Sequence, residues 1–180
     1  MKHSNRALLV IDVQESFRHR PYFTSDALPQ FFERLQKLCD GATALGIPIV
    51  QVLHVEDEGA FSEDSGYVVP MAEIKYQPAL RIKKRNHSAL AGTELCAWLV
   101  AHGIDQLIVS GIRTEQCCET TTRQASDSGY KVDFVTEATL TFPMKHKNGR
   151  VYTAADIKER TELVLADRFA CICSVEESLC

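Results

Sequence analysis

Three residues in this chain have types that could do nucleophilic chemistry together: Asp12, Lys84 and Cys117. Asp12 closes the apolar run Ala7-Leu8-Leu9-Val10-Ile11. Lys84 stands just past Leu80-Arg81-Ile82. Cys117 lies in Gly111-Ile112-Arg113-Thr114-Glu115-Gln116-Cys117-Cys118, directly after Leu107-Ile108-Val109. A thiol attacks as a thiolate, and the first turn of a helix lowers a thiol pKa through its unpaired N–H groups and its dipole. Cys117 is expected in such a turn, begun by Thr114. It should therefore be acidified, and iodoacetamide should alkylate it faster than the other cysteines. Asp12 could take the thiol proton and pass it to a leaving amine, with Lys84 holding the carboxylate charged and oriented. Each residue alone has a plainer reading, as a turn aspartate, a solvated lysine or a buried filler. Joint placement at strand ends is what points to chemistry.

The elements needed to position them alternate. Ala7–Ile11 reads as a strand buried on both faces. Phe31, Leu35, Leu38, Ala42 and Leu45 recur at helical spacing between Leu28 and Leu45, with Gly46 as the stop and Pro48 opening the next element. Ile49–Val55 is a second strand and Leu80–Ile82 a weak third that runs into Lys83-Lys84-Arg85. Thr93 reads as the N-cap of a helix ending at Gly103. Leu107–Val109 is a fourth strand, followed by a helix from Thr114 to Ser128. That helix carries a stripe of small residues (Cys118, Thr122, Ala125, Gly129), which implies close approach to the sheet. Val132–Val135 is a fifth strand. Thr153 and Asp156 resemble a capping box for a last helix to Ala166, and Phe169–Cys173 is a sixth strand. Repeated β-α alternation predicts an α/β fold with helices on both faces of a parallel sheet. Ligands in such sheets bind beyond the carboxyl ends of the strands. The polar stretch from Glu56 to Gln77 is long for a plain connection, and is expected to be a lid or a subunit contact.

Composition narrows the classes. The chain has 180 residues, 45% hydrophobic and 24% charged, with a net charge of −4. These values fit one domain over 1–180 and exclude disorder. No basic excess suggests a nucleic-acid partner, and no apolar run approaches the roughly 20 residues of a bilayer span. Residues MKHSNR lead into a strand with no secretory h-region, so a cytoplasmic protein without membrane association is expected. The seven cysteines are an odd number without a Cys-x-x-Cys. Reduced thiols are the default, and most are expected to be small buried hydrophobes.

Three stretches carry a resemblance. Ala7 to Phe17, with Asp12, Gln14 and Phe17, resembles the opening strand of the isochorismatase-like cysteine hydrolase family. Lys84-Arg85-Asn86-His87-Ser88-Ala89-Leu90 resembles its Lys-x-x-x-Ser-Ala-Phe motif, with Leu for Phe. Gly111 to Cys118 resembles its Gly-hydrophobic-x-Thr-Asp/Glu-x-Cys motif, and Arg123, Ala125 and Gly129-Tyr130 continue the pattern. The resemblance covers nearly the whole chain.

It implies a three-layer, Rossmann-like, mostly parallel six-stranded sheet and an Asp12–Lys84–Cys117 triad with Cys117 as nucleophile. It also implies a cis peptide at Ile112–Arg113 and an oxyanion hole from the backbone N–H groups of Arg113 and Cys117. Gln14, Phe17, His54 and Arg113 are expected to contact a small-molecule substrate. His54 is either a pocket wall or a satisfied core histidine, and its strand-end position favours the pocket. The nicotinamidase branch uses an Asp-x-His metal cluster after its second strand. Here Leu53 to Gly59 offers no second histidine, so neither a catalytic metal nor another cofactor is expected. The isochorismatase branch hydrolyses an enol ether and can lack the cysteine. Cys117 therefore favours cleavage of an amide-type C–N bond. Vinyl ether hydrolysis and a non-catalytic binding or redox-sensing relative are the alternatives. The resemblance further implies a homo-oligomer, a dimer or tetramer.

Overall fold

A computed structural model describes residues 5–180. Six strands form one sheet in the order β3-β2-β1-β4-β5-β8, every adjacent pair parallel. They are β1 (Arg6–Ile11), β2 (Ile49–His54), β3 (Leu80–Lys84), β4 (Gln106–Ile112), β5 (Lys131–Leu140) and β8 (Cys171–Ile172). A two-stranded antiparallel hairpin, β6 (Met144–Lys145) with β7 (Val151–Tyr152), stands apart. The order reverses between β1 and β4, the place where doubly wound sheets open a crevice.

The two faces can be read from the parity of β1. Leu8 and Val10 join one core with α1 (Leu28–Ala44) and Val175 of α5 (Val175–Ser178). Ala7, Leu9 and Ile11 join the other, with Leu95 and Leu99 of α2 (Leu95–Ala101), Ala125 of α3 (Glu119–Asp127) and Leu165 of α4 (Ala154–Leu165). Side chains that alternate across a strand thus give three layers, helix–sheet–helix. Three residues of the small-residue stripe, Cys118, Thr122 and Ala125, are fully covered, whereas the fourth, Gly129, lies past the helix end and is exposed.

Several elements depart from their expected extents. β4 and β5 run longer than their apolar stretches, because a register shift between Val109 and Gly111 lets polar residues near Thr139 continue the ladder. β8 keeps only two paired residues. Thr93 is not the N-cap of α2. It stands one residue further out, donating to Ala89 O at 2.6 Å and accepting from Leu95 N at 3.2 Å. The expected helix from Thr114 opens as a wide turn over Thr114–Cys118, with Cys118 N donating to Arg113 O at 3.2 Å, before α3 begins. The Thr153–Asp156 capping box forms as expected.

The stretch after β2 is pinned rather than loose. Its far end donates and accepts backbone bonds with the segment after β1: Glu15 N to Val69 O at 2.9 Å, Ser16 N to Tyr67 O at 3.0 Å and Met71 N to Val13 O at 3.0 Å. Arg20 pairs with Glu56 at 2.7 Å, and His19 stacks on Tyr67.

Among the described residues no helix is long and apolar enough to cross a membrane. Of the seven cysteines, Cys39, Cys117 and Cys118 are buried, whereas Cys96 and Cys173 are half-buried and Cys171 and Cys180 exposed. The expectation that most would be buried fillers therefore fails at the C-terminal group, which lies on and just beyond an edge strand.

Candidate functional site

Asp12, Lys84 and Cys117 meet at the carboxyl end of the sheet, where the strand order reverses. Asp12 follows β1 with φ +53, in the left-handed region, and its N–H donates to Val52 O at 2.9 Å. Aspartate tolerates that region better than most residues. The turn frees its carboxylate to face across the strand ends. β4 can lie against β1 here because residue 111 is glycine. A Cβ there would stand 2.0 Å from Ile11 O. The following peptide, Ile112–Arg113, is cis. Thr114 Oγ1 is 2.7 Å from Thr139 Oγ1, and Thr141 donates to Glu115 Oε2 at 2.6 Å, so the end of β5 anchors the turn carrying Cys117. The Lys84 motif is fixed from the other side, where Ala89 N donates to Thr121 Oγ1 of α3 at 3.0 Å.

Lys84 is 1% exposed and its ammonium meets three acceptors. Nζ lies 2.8 Å from Asp12 Oδ2, 3.2 Å from His54 Nδ1 and 3.3 Å from Cys117 Sγ. An ammonium has three protons and no acceptor, so His54 must be neutral and present Nδ1 as an acceptor. Its environment agrees: burial, then the positive charges of Lys84, His87 and Arg20, lower its pKa to about 4.

Burial raises the Asp12 carboxyl pKa, against the pull of Lys84. Burial works to lower Lys84, but the Asp12 and Cys117 charges outweigh it and the ammonium is held more firmly than usual. The Cys117 thiol is pushed up by burial and by Asp12, and Lys84 offsets only part of that. The expected acidified sulfur is thus not found. Cys117 sits late in a wide turn, 7% exposed, where desolvation and a neighbouring carboxylate outweigh any gain from the turn's N–H groups.

The expected substrate contacts divide. Gln14 is fully buried, and its amide is committed within the chain: Oε1 accepts from His54 N at 2.7 Å, and Nε2 donates to His54 O at 3.0 Å and to Ser16 Oγ at 2.8 Å. It ties the end of β1 to the end of β2 rather than facing a ligand. His54 is Lys84's third acceptor. Phe17 packs edge-on against Phe61 with centroids 5.0 Å apart. Arg113 is 6% exposed, over the Tyr22 ring and with Nη2 2.9 Å from Glu115 Oε1. That contact lacks hydrogen-bond alignment, so Nε and Nη2 keep unpaired donors.

One neighbour of the sulfur lay in the Lys84 motif without a role assigned to it. His87 Nδ1 is 4.0 Å from Cys117 Sγ, and its ring lies nearly parallel to that of His54, centroids 6.2 Å apart. Its position three residues beyond Lys84 was the available signal. His87 is exposed, whereas the sulfur beside it is buried. A cleft lies to one side, between the β6–β7 hairpin and α4, and Glu115 is among the residues that line it. A metal of the Asp-x-His kind does not fit at His54. Its Nδ1 already faces an ammonium, and among the described residues no three His, Cys, Asp or Glu ligand atoms gather there.

Fold and site together define an α/β protein with a buried Asp–Lys–Cys cluster at the switch point of a parallel sheet. The isochorismatase domain profile matches residues 6–158, so the chain belongs to the isochorismatase family. It is 24% identical over 175 residues to the uncharacterized isochorismatase family protein YrdC of Bacillus subtilis, covering 96% of this chain and 93% of that one. It is 30% identical over 152 residues to Nicotinamidase 3 of Arabidopsis thaliana, covering 76% of this chain and 73% of that one. The crystal structure of an isochorismatase from Pseudomonas putida superposes with a TM-score of 0.87 at 29% identity, over 98% of this chain and 91% of that one.

Proposed function

We propose that the protein hydrolyses an amide-type C–N bond of a small molecule through a thioester on Cys117. The observation that carries this reading is the single ammonium of Lys84 touching both Asp12 and Cys117 in a buried cluster. The name of the Arabidopsis relative, a nicotinamidase, is that of an amide-cleaving enzyme. Because the resting thiol is neutral, the chemistry starts with a coupled step. Cys117 Sγ attacks the carbonyl carbon while its proton passes to Asp12, whose raised pKa suits it as the acceptor. The carbonyl oxygen becomes an oxyanion and is received by the backbone N–H groups of Arg113 and Cys117. Collapse breaks the C–N bond, and Asp12 returns the proton to the departing amine. Water then gives a proton to Asp12 and adds to the thioester. The acid leaves, and the sulfur regains its proton. Lys84 stays an ammonium throughout and keeps the carboxylate charge balanced.

An aromatic arc runs beside this cluster from His54 through Phe61, Phe17 and Phe142 to Tyr22, and Arg113 caps its far end. Phe17, Phe61 and Phe142 are core residues packed on one another, and Phe17 and Arg113 are the two residues of the arc proposed to face the substrate. The test is ammonia release from a panel of carboxamides. Cys117→Ala should lower turnover at least about a thousandfold while its circular dichroism matches the parent. Full activity in that variant removes the covalent route. Pyruvate release from an enol-ether acid, with no ammonia from any amide, would replace this reading with vinyl ether hydrolysis.

A further inference from the structure

A second cluster of metal-binding types stands at the opposite edge of the sheet, where strands begin rather than end. Asp133 of β5 and Cys171 of β8 are directly paired in register. Cys173 follows two residues on, and its N–H continues the ladder to Phe134 O at 3.1 Å, so its side chain returns to the same face. The two sulfurs are 3.3 Å apart, and Cys173 Sγ is 3.8 Å from Asp133 Oδ1. All three ligand atoms lie within 4.8 Å of one another. The carboxylate is already oriented: Gln106 Nε2, at the start of β4, donates to Oδ2 at 2.6 Å and leaves Oδ1 toward the thiols. Cys171 is exposed and the other two are half-buried, beside a surface cleft, so an ion can reach them.

We propose that Asp133, Cys171 and Cys173 form a binding site for a thiophilic divalent cation of the Zn2+ class. A tetrahedral zinc holds sulfur at about 2.3 Å, which places neighbouring ligand atoms about 3.8 Å apart. The observed separations need only a small side-chain adjustment to reach that figure. Two sulfurs and one oxygen select a borderline-soft cation over Mg2+ or Ca2+, and water completes the fourth position. Gln106 supplies the outer hydrogen bond that fixes a ligating carboxylate. The ion would tie β8, only two residues long, to the body of the sheet. Binding to the folded state should therefore stabilise it by mass action.

The test uses the full chain carrying Cys117→Ser, so that the buried sulfur contributes nothing, kept reduced with a phosphine. Zn2+ is titrated against a chromophoric chelator, Co2+ is followed by its thiolate charge-transfer absorption, and the melting temperature is read with and without Zn2+. One equivalent should bind with micromolar or tighter affinity, with a sulfur-to-cobalt band and a raised Tm. Cys173→Ser should weaken binding at least about a hundredfold, and Asp133→Asn and Gln106→Ala each about tenfold or more. Cys96→Ser should leave it unchanged. Circular dichroism of each variant separates lost binding from lost folding. No binding at about 1 mM free Zn2+, or equal binding by Cys173→Ser, overturns the site. So does a Cys171–Cys173 disulfide found by intact mass in air when the reduced protein binds no metal.

Discussion

His54 is the residue whose charge state the site can least tolerate changing. It accepts from Lys84 in the folded chain, so taking up a proton would set two cations 3.2 Å apart. Its pKa is about 4 when folded, against an ordinary 6.5 when unfolded. Between those values the unfolded chain holds the extra proton, so stability rises with pH across the window and falls as the solution is acidified. The unfolding free energy from urea titrations should therefore drop between pH 7 and pH 4.5, by on the order of 2–3 kcal/mol from this group. His54→Gln, which keeps an acceptor but cannot titrate there, should flatten the slope. A slope unchanged in that variant would assign the acid sensitivity to other groups. Removing the ammonium is a different injury: Lys84→Met leaves Asp12 buried without its cation and should cost about 3–5 kcal/mol in chemical denaturation. Adding Asp12→Asn should recover part of that loss. Alkylation inverts the order expected from the helix-turn argument. Exposed Cys171 should react with iodoacetamide at neutral pH well before Cys117, as peptide mass mapping would show.

Individual elements show what could and could not be read in the chain. The strands were legible where apolar runs were unbroken, as in Ala7–Ile11, and Asp12, Lys84 and Cys117 were legible because each stands where such a run stops. β5 was not legible beyond Val135, because its second half, Thr136 to Leu140, pairs through a register shift set by β4. The hairpin at Met144 and Val151 has no run long enough to signal a strand. The wide turn at Thr114 looks helical in sequence, since it differs from an α-turn only in which carbonyl receives each N–H. The direction of the Cys117 shift depends on burial, a tertiary property with no local signature. The bonds that hold Gln14 were illegible for the same reason, since its backbone partners come from residue 54. Gly111 gives the test at this scale. Gly111→Ala should cost more than about 3 kcal/mol, through direct collision with the β1 backbone. Gly149→Ala shares a positive φ but has nothing within 4 Å, and should cost about 1 kcal/mol. Comparable melting temperatures for the two would refute the close-approach account.

At the scale of the molecule, the sheet keeps its two proposed sites at opposite strand ends. Loss of Cys173 should therefore leave amide turnover intact while removing the effect of Zn2+ on melting. The stretch from Glu56 to Gln77, expected as a lid or a subunit contact, is bonded back onto the segment after β1 within one chain. The sealed position of Lys84 has a practical consequence. Amine-directed reagents such as acetic anhydride should modify the surface lysines of the native protein and spare this one. Acetylation at residue 84, quantified by mass spectrometry, then becomes an internal clock for excursions that open the centre of the chain.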